Sequence, residues 1–178
     1  MGNGLSSISG KVLPNFFHWA DILGRSFSMD SFDRKILSAL QADGRLTITE
    51  LADRVGLSLS PCHRRLRRLE QNGLIAGYHA RLAAPKLGLN FSAIVFATVR
   101  SSQHDELESF EQALLRVPEV ITAQRLFGDP DYMLHIVCAD LGSFQRLYDD
   151  RLATMPNVQK LTSTLVMKDV IRNGLLPL

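Results

Sequence analysis

Four arginines lie within five positions of this sequence: Arg64, Arg65, Arg67 and Arg68. His63 precedes them, and Glu70 is the single acid beside them. A guanidinium group can donate two parallel hydrogen bonds to a carboxylate, to a phosphate or to the edge of a guanine. The formal net charge of the whole chain is only +2. The cluster therefore indicates either a solvated helix face or a surface that meets a polyanion.

The distribution of charge favours the second interpretation. Residues 29–100 carry eleven bases and six acids, whereas residues 101–178 carry seven bases and eleven acids. Such asymmetry indicates that one half meets a polyanion and the other half has a different task. A chain of 178 residues has room for two small domains. No apolar run approaches the roughly 18–20 residues needed to span a bilayer, so we expect no membrane partner.

Three short helices are predicted within residues 29–78. Apolar residues recur at helical spacing in DSFDRKILSALQADG, and Gly44 ends that helix. Thr47 and Glu50 have the spacing of a capping box at the start of the second helix. Gly56 then supplies a tight turn before the helix that carries the arginines. Three helices with a glycine turn before the last one are typical of a helix-turn-helix domain.

The apolar stripe of the third helix decides which side chains face outward. Cys62, Leu66 and Leu69 recur at helical spacing and form its inner face. In this motif the third helix enters the major groove of DNA with its N-terminal residues toward the base edges. Arg65 lies nearer the inner stripe, so we predict a structural role for it, paired with an acid of the first helix. The predicted DNA-binding residues are Ser58, Ser60, Pro61, His63, Arg64, Arg67 and Arg68.

The pattern of residues 79–178 is typical of a domain that contains both strands and helices. Residues 79–90 are predicted to form a short strand and linker, and residues 91–178 show strand and helix patterns in the order β-α-β-β-α-β. This order is typical of a ferredoxin-like fold. The fold class is therefore α+β, with an N-terminal helix-turn-helix domain followed by a ferredoxin-like βαββαβ domain. Both helices cover one face of such a sheet, so the uncovered face predicts a dimer or a larger assembly.

Two motifs in the right order carry a family resemblance. The first is DRKILSALQADGRLTITELADRVGLSLSPCHRRLRRLEQNGLIAGYHARL, and the second is PEV followed by GDPDYMLHIVCAD. Over residues 29–178 the chain resembles the leucine-responsive/asparagine-regulator (Lrp/AsnC) family of transcription factors. The resemblance implies binding to double-stranded DNA and a ferredoxin-like domain that binds small effectors, commonly amino acids. It also implies a homodimer formed through that second domain, which in this family often associates into an octamer.

The resemblance places the effector pocket near the glycine-containing turn at residues 128–132. Backbone amides around a glycine turn can hold a carboxylate, while an acidic side chain can hold an ammonium group. The alternative is that the Asp129-Pro130-Asp131 segment only forms a tight turn and binds no ligand, because these residues favour tight turns in any protein. The predicted effector-binding residues are Gly128, Asp129, Asp131, Tyr132, Thr162 and Thr164.

Other chemistry has little support in the sequence. Cys62 and Cys138 have no spacing typical of a metal site or a disulfide framework, and we expect partly buried, reduced thiols in a cytoplasmic protein. A redox switch at Cys62 remains an alternative, because a helix N-terminus can lower the pKa of a thiol. His135 lies in an apolar strand and is predicted to be a hydrogen-bonded sheet histidine. We expect no cofactor, no metal and no catalysis.

Two alternatives to a ligand-responsive regulator remain open. One is an architectural DNA-binding protein that acts without a ligand, and the other is an enzyme or an RNA-binding module built on the second domain. Residues 1–28 fit neither domain and are either a leader outside the fold or an arm that packs on the body or on a neighbouring subunit.

Overall fold

The computed structural model describes residues 28–172 and 174–178, together with a short backbone ladder that pairs residues 7–8 with residues 11–12. The predicted leader or arm at residues 1–28 lies almost entirely outside the described residues. The described chain divides into two compact units. We call them the helical unit, residues 28–82 and 170–178, and the sheet unit, residues 83–169.

The helical unit contains three helices, as the sequence predicts. They are α1 (Ser31–Ala42), α2 (Ile48–Val55) and α3 (Leu59–Gln71). A capping box between Asp30 and Asp33 starts α1, and the predicted box between Thr47 and Glu50 starts α2. Each box satisfies backbone amides that have no partner inside the helix. The buried core of this unit consists of Ile36, Leu37, Ala39, Leu51, Ala52, Val55, Cys62 and Leu69.

The C-terminal tail, from residue 170, belongs to the helical unit by its contacts. The side-chain amide of Gln41, on α1, donates to the carbonyl oxygen of Leu176 at 3.3 Å. The backbone N–H of Leu176 in turn donates to Oε1 of Gln41 at 2.7 Å. This two-way contact joins residues 135 positions apart in the chain, so no local pattern could indicate it.

The sheet unit has the predicted β-α-β-β-α-β order. Its elements are β1 (Phe91–Val99), α4 (His104–Leu115), β2 (Val120–Arg125), β3 (Tyr132–Cys138), α5 (Leu141–Leu147) and β4 (Val158–Leu165). A π-helical turn at Tyr148–Leu152 continues α5. The four strands form one antiparallel sheet in the order β2-β3-β1-β4. The predicted hairpin between β2 and β3 is confirmed.

Alternation along β1 separates the two faces of this sheet. Ala93, Val95 and Ala97 are buried in the core with side chains of α4 and α5, including Phe110 and Phe144. This helix-covered face forms the hydrophobic core of the unit. The residues between them on β1 are Ser92, Ile94, Phe96 and Thr98, which are only partly buried. They define the open face, which no helix of the sheet unit covers in the described structure.

The strand predicted within residues 79–90 is absent from the described structure. Residues 76–83 have no regular structure, and a 3₁₀-helix at Ala84–Leu87 follows, ended by Gly88 in the left-handed region with φ of 80°. An extended segment becomes a strand only when a neighbour pairs with its backbone, and no strand of the described chain pairs with this one. No helix among the described residues is long and apolar enough to cross a bilayer.

Candidate functional site

The N-terminal end of α3 is positioned by the turn that precedes it. Gly56 ends α2 in the left-handed region with φ of 75°, and the N–H of Leu57 donates to the carbonyl of Ala52 at 2.9 Å. Ser58 then lies at the N-cap of α3 with extended backbone angles, although its hydroxyl makes no capping hydrogen bond. The glycine is required because a side chain with a Cβ rarely adopts this conformation.

The buried stripe of α3 fixes its rotation against the other two helices. Cys62 and Leu69 are fully buried, and Leu66 packs against the same core. Burial raises the pKa of the Cys62 thiol, which disfavours the reactive thiolate. Cys62 therefore acts as a core residue, and the structure offers no support for a redox switch there.

Most of the predicted DNA-binding side chains lie together on the outer side of α3. Pro61 is half-buried in the first turn. The exposed members of the set are Ser58, Ser60, His63, Arg64, Arg67 and Arg68. These residues run from the N-cap of α3 to its last turn and lie outside its buried stripe.

The four arginines divide into two pairs. Nη1 of Arg65 lies 2.6 Å from Oδ2 of Asp30 and 2.9 Å from Oδ1 of Asp33, which confirms the predicted pairing of Arg65 with an acid of the first helix. Nη2 of Arg68 lies 2.7 Å from Oδ2 of Asp33. The sequence predicts Arg68 as a DNA-binding residue, whereas in the structure its guanidinium forms an ion pair with Asp33. The partner of Arg68 lies 35 positions away in the chain, so the local sequence does not indicate this ion pair.

The electrostatics of this cluster follow from the contacts. The backbone N–H of Asp33 and the Arg65 guanidinium lower the pKa of Asp30, the backbone bond contributing more. Hydrogen bonds from Arg65 to Asp30 and Asp33 raise the pKa of Arg65. Arg65 also lies over the ring of Phe32, with its Cζ 5.5 Å from the ring centroid. Arg65 is therefore held as a structural cation between α1 and α3.

The second predicted site is the turn between β2 and β3. Oδ2 of Asp131 accepts a hydrogen bond of 2.8 Å from the backbone N–H of Val99, at the end of β1. The hydroxyl of Thr98 lies 3.5 Å from Oδ1 of Asp129. Gly128 is exposed with φ of 141°, and a Cβ there would meet no atom within 4 Å. The turn is therefore tied to the end of β1, and both acids take part in that attachment.

Tyr132 does not share a surface with the two threonines. Its side chain is only 2% exposed, and its hydroxyl donates to Oε1 of Glu111 on α4 at 2.8 Å. Thr162 and Thr164 pair across the strands with Phe96 and Ile94, so they lie on the open face and are exposed. The predicted effector set is thus divided between the two faces of the sheet.

Ser92 and His135 form a polar pair on the open face, although they are 43 positions apart in the chain. Nε2 of His135 lies 2.8 Å from Oγ of Ser92 on the neighbouring strand, which confirms that His135 is a hydrogen-bonded sheet residue. In the strand register, Ser92 is opposite Val137 and His135 is opposite Ile94. Among the described residues, no group of three or more His, Cys, Asp or Glu side chains is arranged to hold a metal ion.

Comparison with known proteins follows the same two-part division. A winged helix-turn-helix DNA-binding profile matches residues 29–76, and an Lrp/AsnC ligand-binding-domain profile matches residues 92–176. The Bkd operon transcriptional regulator of Pseudomonas aeruginosa is 39% identical over 150 residues, which cover 84% of this chain and 98% of that protein. The chain belongs to the Lrp/AsnC family of transcriptional regulators. It is accordingly a DNA-binding transcriptional regulator.

Other Lrp/AsnC proteins give the same result. The leucine-responsive regulatory protein of Escherichia coli is 36% identical over 142 residues, covering 80% of this chain and 87% of that protein. A transcriptional regulator of Neisseria meningitidis, solved in complex with L-methionine, matches with a TM-score of 0.81 and 36% identity over 84% of this chain and 97% of its own. An AsnC family regulator of Agrobacterium tumefaciens matches with a TM-score of 0.79 and 32% identity over the same shares.

Proposed function

We propose that this Lrp/AsnC protein binds specific DNA sequences through α3 and that a small amino-acid effector bound by the sheet unit changes its DNA binding or its assembly. The proposed DNA binding is supported mainly by the two different sides of α3. Its apolar stripe is buried in the helical unit, while His63, Arg64 and Arg67 are exposed on its outer side. A rigid helix that presents cations beside its N-terminal end has the geometry of a recognition helix.

The roles of individual residues on α3 follow from their chemistry. Arg64 and Arg67 are suited to bidentate contact with guanine or to phosphate contact, and His63 adds a donor near the helix start. Ser58, Ser60 and Pro61 form the first turn and its cap, where hydroxyl groups and unpaired backbone amides meet a phosphate. Arg68 lies at the margin of this surface, with its guanidinium held by Asp33.

Two observations support the proposed binding of an amino-acid effector: the structure of the turn between β2 and β3, and the relative solved in complex with L-methionine. Gly128 leaves open space beside the turn, and Asp129 is exposed next to Thr98. Asp129 is suited to bind the ammonium group of an amino acid, and the Gly128 backbone to bind its carboxylate. Asp131 supports the turn from Val99, while Thr162 and Thr164 contribute hydroxyl groups from the open face. Tyr132 is buried on the core side of β3, where its hydroxyl donates to Glu111 of α4.

The open face of the sheet is proposed to bind a second copy of the chain. Ile94, Phe96 and Met133 remain only partly buried there, although they are large and apolar. Association through this face buries these side chains in a homodimer, the form in which this cytoplasmic regulator is proposed to act. Octamers formed from four such dimers are the larger assembly that the family resemblance implies. We propose no catalytic activity, in line with relatives named as the Bkd operon transcriptional regulator and the leucine-responsive regulatory protein.

Two measurements on the purified full-length protein test this proposal. Fluorescence anisotropy with a labelled duplex is expected to show affinity that falls steeply with salt, because phosphate contacts release counterions. A thermal-shift panel of the twenty amino acids is expected to give one or a few clear shifts. A ligand at 100 times its dissociation constant adds about 2.7 kcal/mol, which corresponds to several degrees for domains of this size.

The outcomes separate the competing functions. An amino acid that raises the unfolding temperature and also changes DNA affinity supports a ligand-responsive regulator. Salt-sensitive DNA binding that no amino acid alters favours the architectural alternative. Binding that does not respond to salt contradicts a role for the arginine surface of α3.

A further inference from the structure

Two acids of α1 occupy two of the four arginines of the recognition helix. We propose that Asp33 is a specificity-determining residue, because it holds Arg68 and Arg65 away from the DNA backbone. The helix then meets DNA mainly through Arg64 and Arg67. This inference rests on the proposed function of α3 as the DNA-contacting helix.

The contacts of Asp33 leave neither carboxylate oxygen unpaired. The side chain is 0% exposed. Oδ1 accepts from Arg65 at 2.9 Å, and Oδ2 accepts from Arg68 at 2.7 Å and from the backbone N–H of Asp30 at 3.3 Å. A buried carboxylate that loses its cation is strongly disfavoured, because water cannot replace the partner. Arg68 therefore cannot turn to a phosphate without leaving a buried charge partly uncompensated.

Helical spacing explains why the acids engage Arg65 and Arg68 but not Arg64 and Arg67. Arg65 and Arg68 are three residues apart on α3, and Asp30 and Asp33 are three residues apart at the start of α1, so the two rows face each other. Arg64 and Arg67 form the neighbouring row and are exposed. Arg68 is 47% exposed in spite of its ion pair. Its guanidinium is therefore accessible to solvent at the margin of the DNA-binding surface while it is held by Asp33.

These ion pairs affect the sequence specificity of DNA binding more than its overall affinity. Each arginine that neutralises a phosphate raises affinity for any sequence and steepens the dependence of log K on log salt by about 0.9. Phosphate contacts carry no direct sequence information, whereas contacts to base edges do. By engaging Arg68 and Arg65, the acids of α1 keep general DNA affinity low relative to affinity for the target sequence.

The decisive variant is Asp33→Asn in the full-length protein. Two duplexes of equal length and composition serve as probes: one enriched from a random library by the wild-type protein, and a scrambled version of it. We expect affinity for the scrambled duplex to rise roughly three- to tenfold at low salt, and the salt slope to steepen by about 1, because Arg65 keeps its ion pair with Asp30. The ratio of the two affinities falls accordingly. If both affinities fall together with an unchanged slope, Asp33 is only a structural residue and the proposal is wrong.

A double variant distinguishes released arginines from general damage. Asp33→Asn combined with Arg68→Gln is expected to return the salt slope toward the wild-type value, because the released cation is gone. A structural defect caused by the asparagine would persist in the double variant. Persistence of the steeper slope therefore overturns the role given to Arg68.

A matched pair on α3 keeps the test valid if Asp33→Asn does not fold. Arg67→Gln is expected to reduce the salt slope by about 1, whereas Arg68→Gln is expected to leave it nearly unchanged. Arg65 remains on Asp33 in the second variant, so the buried acid keeps a partner. Equal reductions in the two variants refute the inference but leave α3 as the DNA-binding helix. No reduction in Arg67→Gln or in Arg64→Ala refutes the proposed function itself.

Discussion

The carboxylate of Asp131 accepts a hydrogen bond of 2.8 Å from the backbone N–H of Val99, which fastens the turn between β2 and β3 to the end of β1. The same aspartate accepts a second bond through its backbone, from the N–H of Leu126 at 2.7 Å. Its side chain thus has a structural partner before any ligand is present. This relationship separates the two acids of the turn, because Asp129 is the more exposed of them.

Asp131→Ala is expected to lower stability and to abolish the response to an amino-acid effector. Loss of the acceptor leaves the partly buried Val99 amide unpaired, which costs about 1–3 kcal/mol. Chemical denaturation measures that loss, and the thermal-shift panel measures the effector response. Asp129→Ala is the matched control, expected to weaken the effector response with little change in stability. An effector response that survives in both variants would show that this turn is not the ligand site.

Tyr132→Phe is expected to reduce stability by about 1 kcal/mol while leaving effector binding intact. The substitution removes only the hydroxyl that donates to Glu111, and the ring stays in the core against Phe110. Urea denaturation and ligand titration of the same preparation measure the two effects. A large loss of ligand affinity without a stability change would restore Tyr132 to the direct effector contacts.

Arg64→Ala is expected to weaken binding to the target duplex by about 1–3 kcal/mol, the value of a good bidentate contact. The side chain is exposed and lies outside the buried stripe of α3, so the fold and the oligomer should be unaffected. Anisotropy titration gives the affinity, and light scattering gives the assembly state. Arg100→Ala, an exposed arginine of the sheet unit, is the control. Equal affinities for the wild type and Arg64→Ala would contradict the assignment of α3.

Phe96→Asp is expected to separate the proposed dimer into monomers. Phe96 lies on the open face, and a charge placed there would be desolvated on association. Size-exclusion chromatography with light scattering reports the mass. Gln112→Asp places the same charge on an exposed position of α4, on the helix-covered side, and should leave the mass unchanged. A variant of Phe96 that keeps the wild-type mass would exclude the open face as the contact.

Acidification is expected to destabilise the helical unit. A backbone N–H lowers the pKa of each capping acid most: that of Asp33 for Asp30, and that of Thr47 for Glu50. A carboxyl whose pKa is lower in the folded chain stabilises the fold fully above its unfolded value, and that stability is lost as the pH falls through the folded value. The ordinary values are 3.8 for Asp30 and 4.5 for Glu50. The unfolding temperature should therefore be steady near neutral pH and fall below about pH 4.

Circular dichroism during heating measures this effect. Glu50→Gln cannot titrate, so its unfolding temperature is expected to fall less steeply with acid than that of the wild type. Identical slopes in the two proteins would show that this cap does not contribute to acid sensitivity.

The sequence by itself determined the features that depend on neighbouring residues. The capping box of Thr47 and Glu50 spans three positions, and the turn at Gly56 needs only a residue that tolerates positive φ. The stripe of Cys62, Leu66 and Leu69 follows from helical periodicity, and it correctly indicated which side of α3 is buried. Such features can be read from the chain because the backbone geometry of one element relates residues a few positions apart.

Tertiary structure alone decided the features that join distant parts of the chain. Arg68 and Asp33 are 35 positions apart, and nothing in the pattern of α3 shows that an acid of α1 engages this arginine. Tyr132 and Thr162 occupy opposite faces because of the strand register, in which Tyr132 pairs with Ala97 and Thr162 with Phe96. A shift of one residue would exchange the faces, and register is set by the packed core of the whole sheet.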